Sequence, residues 1–288
     1  MKKIIIIILS AVSLALICCL IINAVNGKKK DMALSINSIN NYVIGKNERK
    51  INQVLYFTRD NIYNQTSLVS SINVIGGDES SINLKVNNIK KSGYKHKYKN
   101  NTYNSYIYEL IIPSISGDLY IENAKLEIIS DENEIVIPIG IFSIKYDDKY
   151  DGSKNITVNS LSGLCSYDPY QTLGKINMTL ENKEFSNITI NKMNLGNFVD
   201  LVKEESESVI YNNTNTSINE VIIGYMEKEF SLSLSYKARY ILKESYIEIE
   251  YTDNDGVKKE LIDTYNFYDN GFKLPEADDL INTLTFKV

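Results

Sequence analysis

Residues 246–261 read YIEIEYTDNDGVKKEL, and this stretch decides the fold class. Apolar and polar residues alternate from Tyr246 to Tyr251, and a second, less regular run follows Gly256. A period of two places successive side chains on opposite faces of a β-strand. The Asp255-Gly256 pair between the runs can supply the positive φ angles that tight hairpin turns require. The stretch therefore predicts an antiparallel β-hairpin.

The same alternation recurs through most of the chain. It predicts strands at 81–86, 106–110, 119–122, 126–128, 135–144, 155–158, 176–180, 187–190 and 230–236. Helical periodicity is weaker and is found at 197–209 and 275–284, where Pro275 and the acids after it are typical of a helix start. Many short strands with regular turns favour β-sandwiches over α/β folds. We expect an all-β protein, mainly β-sandwich, with few short helices and with two Ig-like domains in tandem as one arrangement.

The chain divides by composition into four segments. Residues 1–27 are expected to form a membrane anchor or signal-anchor, and residues 28–50 a polar tether. Residues 51–165 are expected to form a basic β-rich domain and residues 166–288 an acidic one. The boundary is placed in the loop around Pro169, where the strand pattern pauses.

An uncharged apolar run follows Lys2 and Lys3. At about 1.5 Å per residue it is long enough, as a helix, to cross the hydrocarbon core of a bilayer. The run predicts a single transmembrane helix with residues 28–288 outside the cytoplasm; cleavage of a signal peptide, giving a secreted protein, is the alternative. Anchor residues spread along the run are Ile4, Leu9, Leu14, Leu16, Leu20 and Ile22.

The composition excludes several kinds of site. Beyond the apolar run the chain has one cysteine, Cys165, and its only histidine is His96, so neither a disulfide framework nor a zinc site is expected. No catalytic or cofactor-binding motif is found, and the protein is not expected to be an enzyme. Three aspartates, Asp147, Asp148 and Asp151, form a weak candidate for a cation-binding loop.

The abundance of Asn, Ile, Lys and Tyr without Trp is typical of AT-rich coding and suggests a low-GC Gram-positive bacterium.

One stretch is a stronger candidate for a binding surface. Residues 90–108 read KKSGYKHKYKNNTYNSYIY, with lysines and tyrosines but no acid. Such a stretch can bind a polyanion or an anionic membrane surface; alternatively, the lysines only protect an edge strand from pairing. The predicted patch consists of Lys90, Lys91, Tyr94, Lys95, Lys97, Tyr98 and Lys99.

The charge layout favours the first interpretation. Residues 28–110 carry 13 Lys/Arg against 6 Asp/Glu, whereas residues 111–288 carry 16 against 30. A basic half next to the anchor suits contact with anionic lipid or a wall polymer, because screening limits the attraction to about 10 Å at 0.1 M salt. We therefore expect a non-catalytic surface or accessory interaction module that contacts the membrane and a membrane-protein partner, not nucleic acid. A soluble-ligand or cation-binding ectodomain and an envelope enzyme without a recognisable motif are the alternatives.

Overall fold

The computed structural model describes residues 31–77, 79–131, 133–166, 172–196, 199–202, 217–236, 240–263 and 280–286. The only helical element in these ranges is a 3-10 turn at Ile62–Asn64, so the prediction of an all-β protein is confirmed. Within the same ranges no helix has the length and apolar character needed to span a bilayer. The predicted anchor, residues 1–27, lies outside the described residues.

The strands are β1 (Asp31–Ile36), β2 (Ser38–Ile44), β3 (Arg49–Phe57), β4 (Ser71–Ile75), β5 (Ser81–Tyr98), β6 (Asn101–Ile112), β7 (Leu119–Ser130), β8 (Asn133–Tyr146), β9 (Ile156–Ser166), β10 (Thr172–Asn182), β11 (Ile188–Leu195), β12 (Val199–Val202), β13 (Ser217–Ile222), β14 (Glu227–Tyr236), β15 (Ile241–Glu244), β16 (Tyr246–Asp253), β17 (Gly256–Asp263) and β18 (Ile281–Phe286).

The first sheet has the order β15-β2-β8-β7-β4-β5-β6-β3-β1-β18. It folds over on itself, so that β1 near one edge contacts β8 in the opposite half. One apolar core fills the space between the halves, with contributions from both; its members include Tyr42, Leu55, Phe57, Tyr108 and Ile137. The expectation of a β-sandwich is thus confirmed for this part of the chain.

The second sheet has the order β17-β16-β11-β12-β14-β10-β9, with β13 on β11. Its apolar face forms a second core around Ile190 and Ile249. Three residues of this core, Ile39, Ile141 and Leu242, belong to β2, β8 and β15 of the first sheet. The second sheet therefore packs on the back of the first.

Strands β2, β8 and β15 form a middle layer that both cores share. Strand β2 is buried along its whole length and pairs in parallel with β8 and with β15, as is usual for parallel strands covered on both faces. Its buried Asn40 is satisfied in part by a hydrogen bond from its amide to the Ile141 carbonyl at 3.1 Å. Gly140 has a φ of +103°, and a Cβ there would lie 2.4 Å from the Ser38 carbonyl oxygen. Close approach of β8 to β2 requires glycine at this position.

The prediction of a polar tether is wrong for residues 31–44. These residues form β1 and β2, which are separated by Asn37 alone, and Leu34, Ile39 and Val43 are fully buried. The chain bends at Asn37 and passes from one half of the first sheet to the other, as corner strands of β-sandwiches do. The tether prediction failed because Ser and Asn side chains are buried among the apolar ones, which hides the alternation.

The predicted division at residue 165 does not separate the two sheets. Strands β9 and β10 lie on either side of it and pair with each other, Cys165 opposite Leu173, in the second sheet. The carboxyl-terminal β18 returns to the first sheet and pairs with β1 from Asp31 to Ile36. The two cores are therefore joined through a shared layer and are not tandem units divided at this point.

Both helix predictions are wrong in the parts that the structure describes, which form strands. Val199–Val202 is strand β12, paired with β14, and Ile281–Phe286 is strand β18. The helical pattern at 275–284 was local, whereas pairing with β1 is a non-local interaction that overrides weak propensity. The rest of each predicted helix lies outside the described residues.

The hairpin at 246–261 is confirmed. Strands β16 and β17 pair from Tyr246 opposite Asp263 to Asp253 opposite Gly256. Among the turn residues only Gly256 has a positive φ, of +116°, so glycine is required just after the turn and not within it. Lys258 pairs with Asp253 at 2.5 Å across the hairpin end.

Candidate functional site

The predicted basic patch lies on one long hairpin made by β5 and β6. Register runs from Lys85 opposite Ile111 to Tyr98 opposite Asn101, with Lys99 and Asn100 as the connecting turn. Strand β3 pairs with β6 only as far as Asn104, opposite Phe57. We call residues 95–101 the basic hairpin tip; it extends roughly 10 Å past the end of this ladder.

Alternation along β5 separates the basic hairpin tip into two faces. Lys95 and Lys97 are exposed, whereas His96 and Tyr98 are partly buried. Tyr98 packs on a small apolar cluster that includes Leu34, and the His96 ring meets that of Tyr56 edge-on at 5.0 Å. His96 is therefore a packing residue. The apolar face fixes the tip and directs Lys95 and Lys97 to solvent.

Two of the predicted patch lysines are neutralised by neighbouring carboxylates. Lys90 forms an ion pair with Glu109, and this hydrogen bond lowers the pKa of Glu109. Lys91 contacts Asp60 at 2.8 Å, and the pKa of Asp60 is lowered by the hydrogen bonds from Lys91 and Tyr106. Lys90 and Lys91 therefore belong to local ion pairs at the base of the hairpin.

The other patch residues lie closer to the end of the hairpin. Lys95 and Lys97 form no ion pair within the described part of the chain, and Lys99 lies over the Tyr98 ring at 5.0 Å. Tyr94 is 51% exposed and sits in an irregularity of β5 next to Gly93, whose φ is +86°. Within the predicted patch, Lys95 and Lys97 are thus exposed and form no ion pair among the described residues, and one exposed tyrosine lies beside them.

The basic hairpin tip lies beside the beginning of β1. The Asn101 side-chain amide donates to the Met32 sulfur at 3.4 Å, and the Tyr103 hydroxyl approaches the same sulfur at 3.9 Å. Arg59, itself largely exposed, binds the buried carboxylate of Asp31. Residues 1–30 therefore enter the described structure at the end that carries Lys95, Lys97 and Arg59.

The alternative role of these lysines, protection of an edge, also has a structural basis. Strand β4 pairs with β5 only from Ser81 to Leu84. From Lys85 to Tyr98, β5 has one ladder partner among the described strands, β6. Charged side chains hinder pairing at such an edge. Edge protection and surface binding are compatible, because both require the lysines to be exposed.

The three candidate aspartates do not converge on a cation site. Asp151 accepts hydrogen bonds from the Lys46 amide and the Asn47 side chain, both at 3.0 Å, and Asp147 accepts from the Lys149 amide at 2.9 Å. No group of three possible metal ligands occurs among the described residues. Asp147 and Asp151 act instead as hydrogen-bond acceptors for backbone amides.

Asp147 and Asp148 also line a polar cleft of about 610 Å³. Its acidic centre, Glu260, accepts from the amides of Asn155 at 2.8 Å and Ile156 at 3.0 Å and from the Tyr251 hydroxyl at 2.9 Å. Burial, with Glu260 as a second cause, raises the pKa of Tyr251. These groups are hydrogen-bonded to one another. The cleft is therefore a structural junction between the loop that contains Asp147 and Asp148 and the β16–β17 hairpin.

Sequence reasoning missed one buried charged cluster. The Lys243 ammonium is buried and donates to the Asn52 carbonyl at 2.8 Å and the Gln53 side chain at 2.9 Å. Next to it, Glu244 pairs with Arg49 at 2.7 Å. Burial lowers the pKa of Lys243 to about 8. No pattern reveals this cluster, because β3 and β15 are far apart in sequence and meet only in the folded chain.

Comparison with known proteins identifies no family. No family model matches the chain, and no curated protein matches it. Among solved structures, the C-terminal domain of the Streptococcus agalactiae AgI/II polypeptide BspA shares 10% identity at a TM-score of 0.23, with 81% of this chain and 100% of that chain covered. A marsupial T cell receptor gives 10% identity, a TM-score of 0.23 and the same coverage. At such TM-scores neither similarity supports an assignment, and the fold rests on the strands and cores described above.

Proposed function

We propose that this protein is a non-catalytic interaction module, held at a membrane by its N-terminal segment, whose basic hairpin tip contacts anionic groups at that membrane surface. The observation that carries the proposal is the contact of Asn101 with Met32, which puts the tip beside the point where residues 1–30 join the fold. In this proposal the bulk of the chain lies outside the cytoplasm.

The electrostatics of the tip support a surface contact. A lysine close to an anionic leaflet contributes about 1 kcal/mol, and the attraction decays within about 10 Å. Lys95 and Lys97 are exposed and lie at the end of the first sheet where β1 begins. Tyr94, exposed beside them, is suited to the headgroup layer, where tyrosine is enriched.

Lysine acetylation of the full-length chain in vesicles tests the proposal. Labelling of Lys95 and Lys97 is expected to fall severalfold in vesicles with 30% anionic lipid relative to zwitterionic vesicles. Lys85 and Lys125 are the internal controls, since both are exposed and form no ion pair among the described residues. Equal labelling of all four lysines in both lipids would reject the contact.

A further inference from the structure

Two loops of the second sheet present a group of exposed apolar side chains. Phe185, between β10 and β11, is 85% exposed; Ile223, Tyr225 and Met226, between β13 and β14, are 59%, 60% and 55% exposed. Val221 at the end of β13 is 47% exposed. We call these five residues the aromatic tip. Contiguous exposed apolar side chains of this kind are typical of interaction sites.

The aromatic tip is a built structure. The rings of Phe185 and Tyr225 meet edge-on at 5.7 Å, and the Tyr225 amide donates to the Glu184 carbonyl at 3.1 Å. A Cβ at Gly224 would lie 2.0 Å from the Phe185 carbonyl oxygen, so only glycine allows the two loops to lie this close. The shape of the surface is therefore fixed before any partner binds, which reduces the entropy lost on association.

A buried asparagine joins the two loops. The Asn182 amide side chain donates to the carbonyls of Ser186 at 2.8 Å and Ile222 at 3.3 Å, and its backbone amide donates to Met226 at 3.1 Å. Its side-chain oxygen accepts from the Glu184 amide at 2.9 Å. Asn182 is fully buried. The hydrogen bonds of Asn182 thus hold the two loops together beneath the exposed apolar side chains.

The rim of the aromatic tip is acidic. Its charged residues are four glutamates and two lysines: Glu181, Glu184, Glu220, Glu227, Lys183 and Lys228. Both lysines pair with rim glutamates, Lys183 with Glu181 at 2.5 Å and Lys228 with Glu220 at 2.6 Å. The rim keeps a net negative charge, which favours a basic counterpart and disfavours an anionic lipid surface.

The aromatic tip is attached at the end of the molecule opposite to the start of β1. Strands β1 and β2 carry the chain from Asp31 to Ile44 over an extended chain length of roughly 40 Å. The Ile44 carbonyl accepts from the Asp147 amide at 3.0 Å, and the loop that begins there reaches Asn155, whose carbonyl accepts from the Lys183 amide at 2.7 Å. The aromatic tip is therefore separate from the basic hairpin tip.

We infer that the aromatic tip is the docking surface for a partner protein whose contact surface has an apolar pocket bordered by basic side chains. Phe185 and Tyr225 are the anchors, because a few central aromatic residues commonly dominate binding energy. The inference rests on the proposed function, to which it adds the surface that recognises the partner and the chemistry of that partner.

Site-specific photocrosslinking in intact cells that produce the full-length protein tests this. A p-benzoylphenylalanine placed at Phe185 is compared with one at Leu164, a 51% exposed apolar position in β9 of the same sheet. We expect adducts only from position 185, to peptides of another protein that contain apolar residues and carry a net positive charge. The substitution Tyr225→Ser, at an exposed position, should reduce their yield at least tenfold while leaving the thermal unfolding midpoint unchanged.

Every other result overturns the inference. Adducts with peptides of this same chain would show a second copy at the surface, and lipid adducts would show membrane contact. Acidic or uncharged peptides, equal yields from positions 185 and 164, or the lack of any adduct would equally reject it. Because lysine acetylation reports on the basic hairpin tip and not on the aromatic tip, failure of the crosslinking test leaves the membrane contact standing, and failure of the acetylation test leaves this surface standing.

Discussion

Asn101 donates from its side-chain amide to the sulfur of Met32 at 3.4 Å, and this contact joins the turn of the basic hairpin to the first residues of β1. The two residues are far apart in sequence but lie at the same end of the folded protein. The consequence is that the charge of the hairpin lies where the N-terminal segment enters the fold. The account of the protein as a membrane-surface module depends on this relationship.

The double substitution Lys95→Gln/Lys97→Gln should remove the attraction to anionic lipid. At about 1 kcal/mol per lysine, contact is expected to weaken at least tenfold. In the acetylation experiment, the protection of the remaining Lys99 by anionic vesicles should be lost. The matched control is Lys85→Gln/Lys125→Gln, which changes the net charge equally but lies away from the tip. Loss of Lys99 protection in the control as well would mean that net charge, not the hairpin, governs the contact.

Gly140→Ala should destabilise the fold by about 2–4 kcal/mol, because the new Cβ would meet the Ser38 backbone and the residue would keep a strained positive φ. Chemical denaturation measures the loss. Gly117→Ala is the control, since a Cβ at Gly117 has no neighbour within 4 Å among the described atoms and its φ is unstrained. If both variants unfold at the same denaturant concentration, the close approach of β8 to β2 is not as described.

The stability of the protein should fall as the pH decreases from 7.5 to 5.5 because of His96. Burial lowers the pKa of His96, and its Nε2 has no hydrogen-bond partner among the described residues. The unfolded chain therefore binds the proton more readily, near pH 6.5, so that stability is lost as the pH falls through this value. His96→Phe keeps the ring beside Tyr56 without a titrating group. Urea unfolding at both pH values should show a smaller decrease for this variant than for the natural chain; equal decreases would contradict the assignment.

Lys243 should produce a slope of the same sign at high pH. Burial lowers its pKa to about 8 in the folded protein, while the unfolded chain keeps the proton to about 10.4. The unfolded state thus binds more protons between these values, and the free energy of unfolding should rise with pH. Between pH 8 and 9.5 the expected gain is about 1–2 kcal/mol. Lys243→Met should show a flat profile over the same interval, and a similar rise in this variant would assign the effect to another group.

Local patterns were sufficient to predict many of the strands. Alternation at 135–144 lies within β8, and the 246–261 stretch forms the hairpin expected from its Asp-Gly pair. The basic stretch was also recognisable, because charge and spacing are visible in the sequence. The sequence did not reveal that Lys90 and Lys91 are ion-paired whereas Lys95 and Lys97 are exposed. The ion pairs depend on Glu109 and Asp60, which come from other parts of the fold.

Non-local pairing accounts for what the sequence failed to predict. Asn40 and Asn41 gave β2 a polar appearance, yet both are buried and hydrogen-bonded, Asn41 accepting from the Ser143 hydroxyl at 2.5 Å. Strand β18 had a helical pattern but lies against β1. The aromatic tip gave no periodic signal because most of its residues lie in connections between strands. Apolar residues around Gly224 were the one available indication. Burial and pairing at these positions are decided by partners distant in sequence.

Tryptophan fluorescence tests the central claim most directly, since the sequence contains no Trp and one substitution supplies a unique probe. The full-length chain with Tyr94→Trp is reconstituted in vesicles containing brominated lipid, either zwitterionic or 30% anionic, and compared with Tyr225→Trp in the aromatic tip. We predict strong quenching at position 94 in anionic vesicles, weaker quenching in zwitterionic vesicles or at high salt, and none at position 225. Unquenched emission at position 94 in anionic vesicles, or equal quenching at both positions, would contradict contact of the basic hairpin tip with the membrane surface.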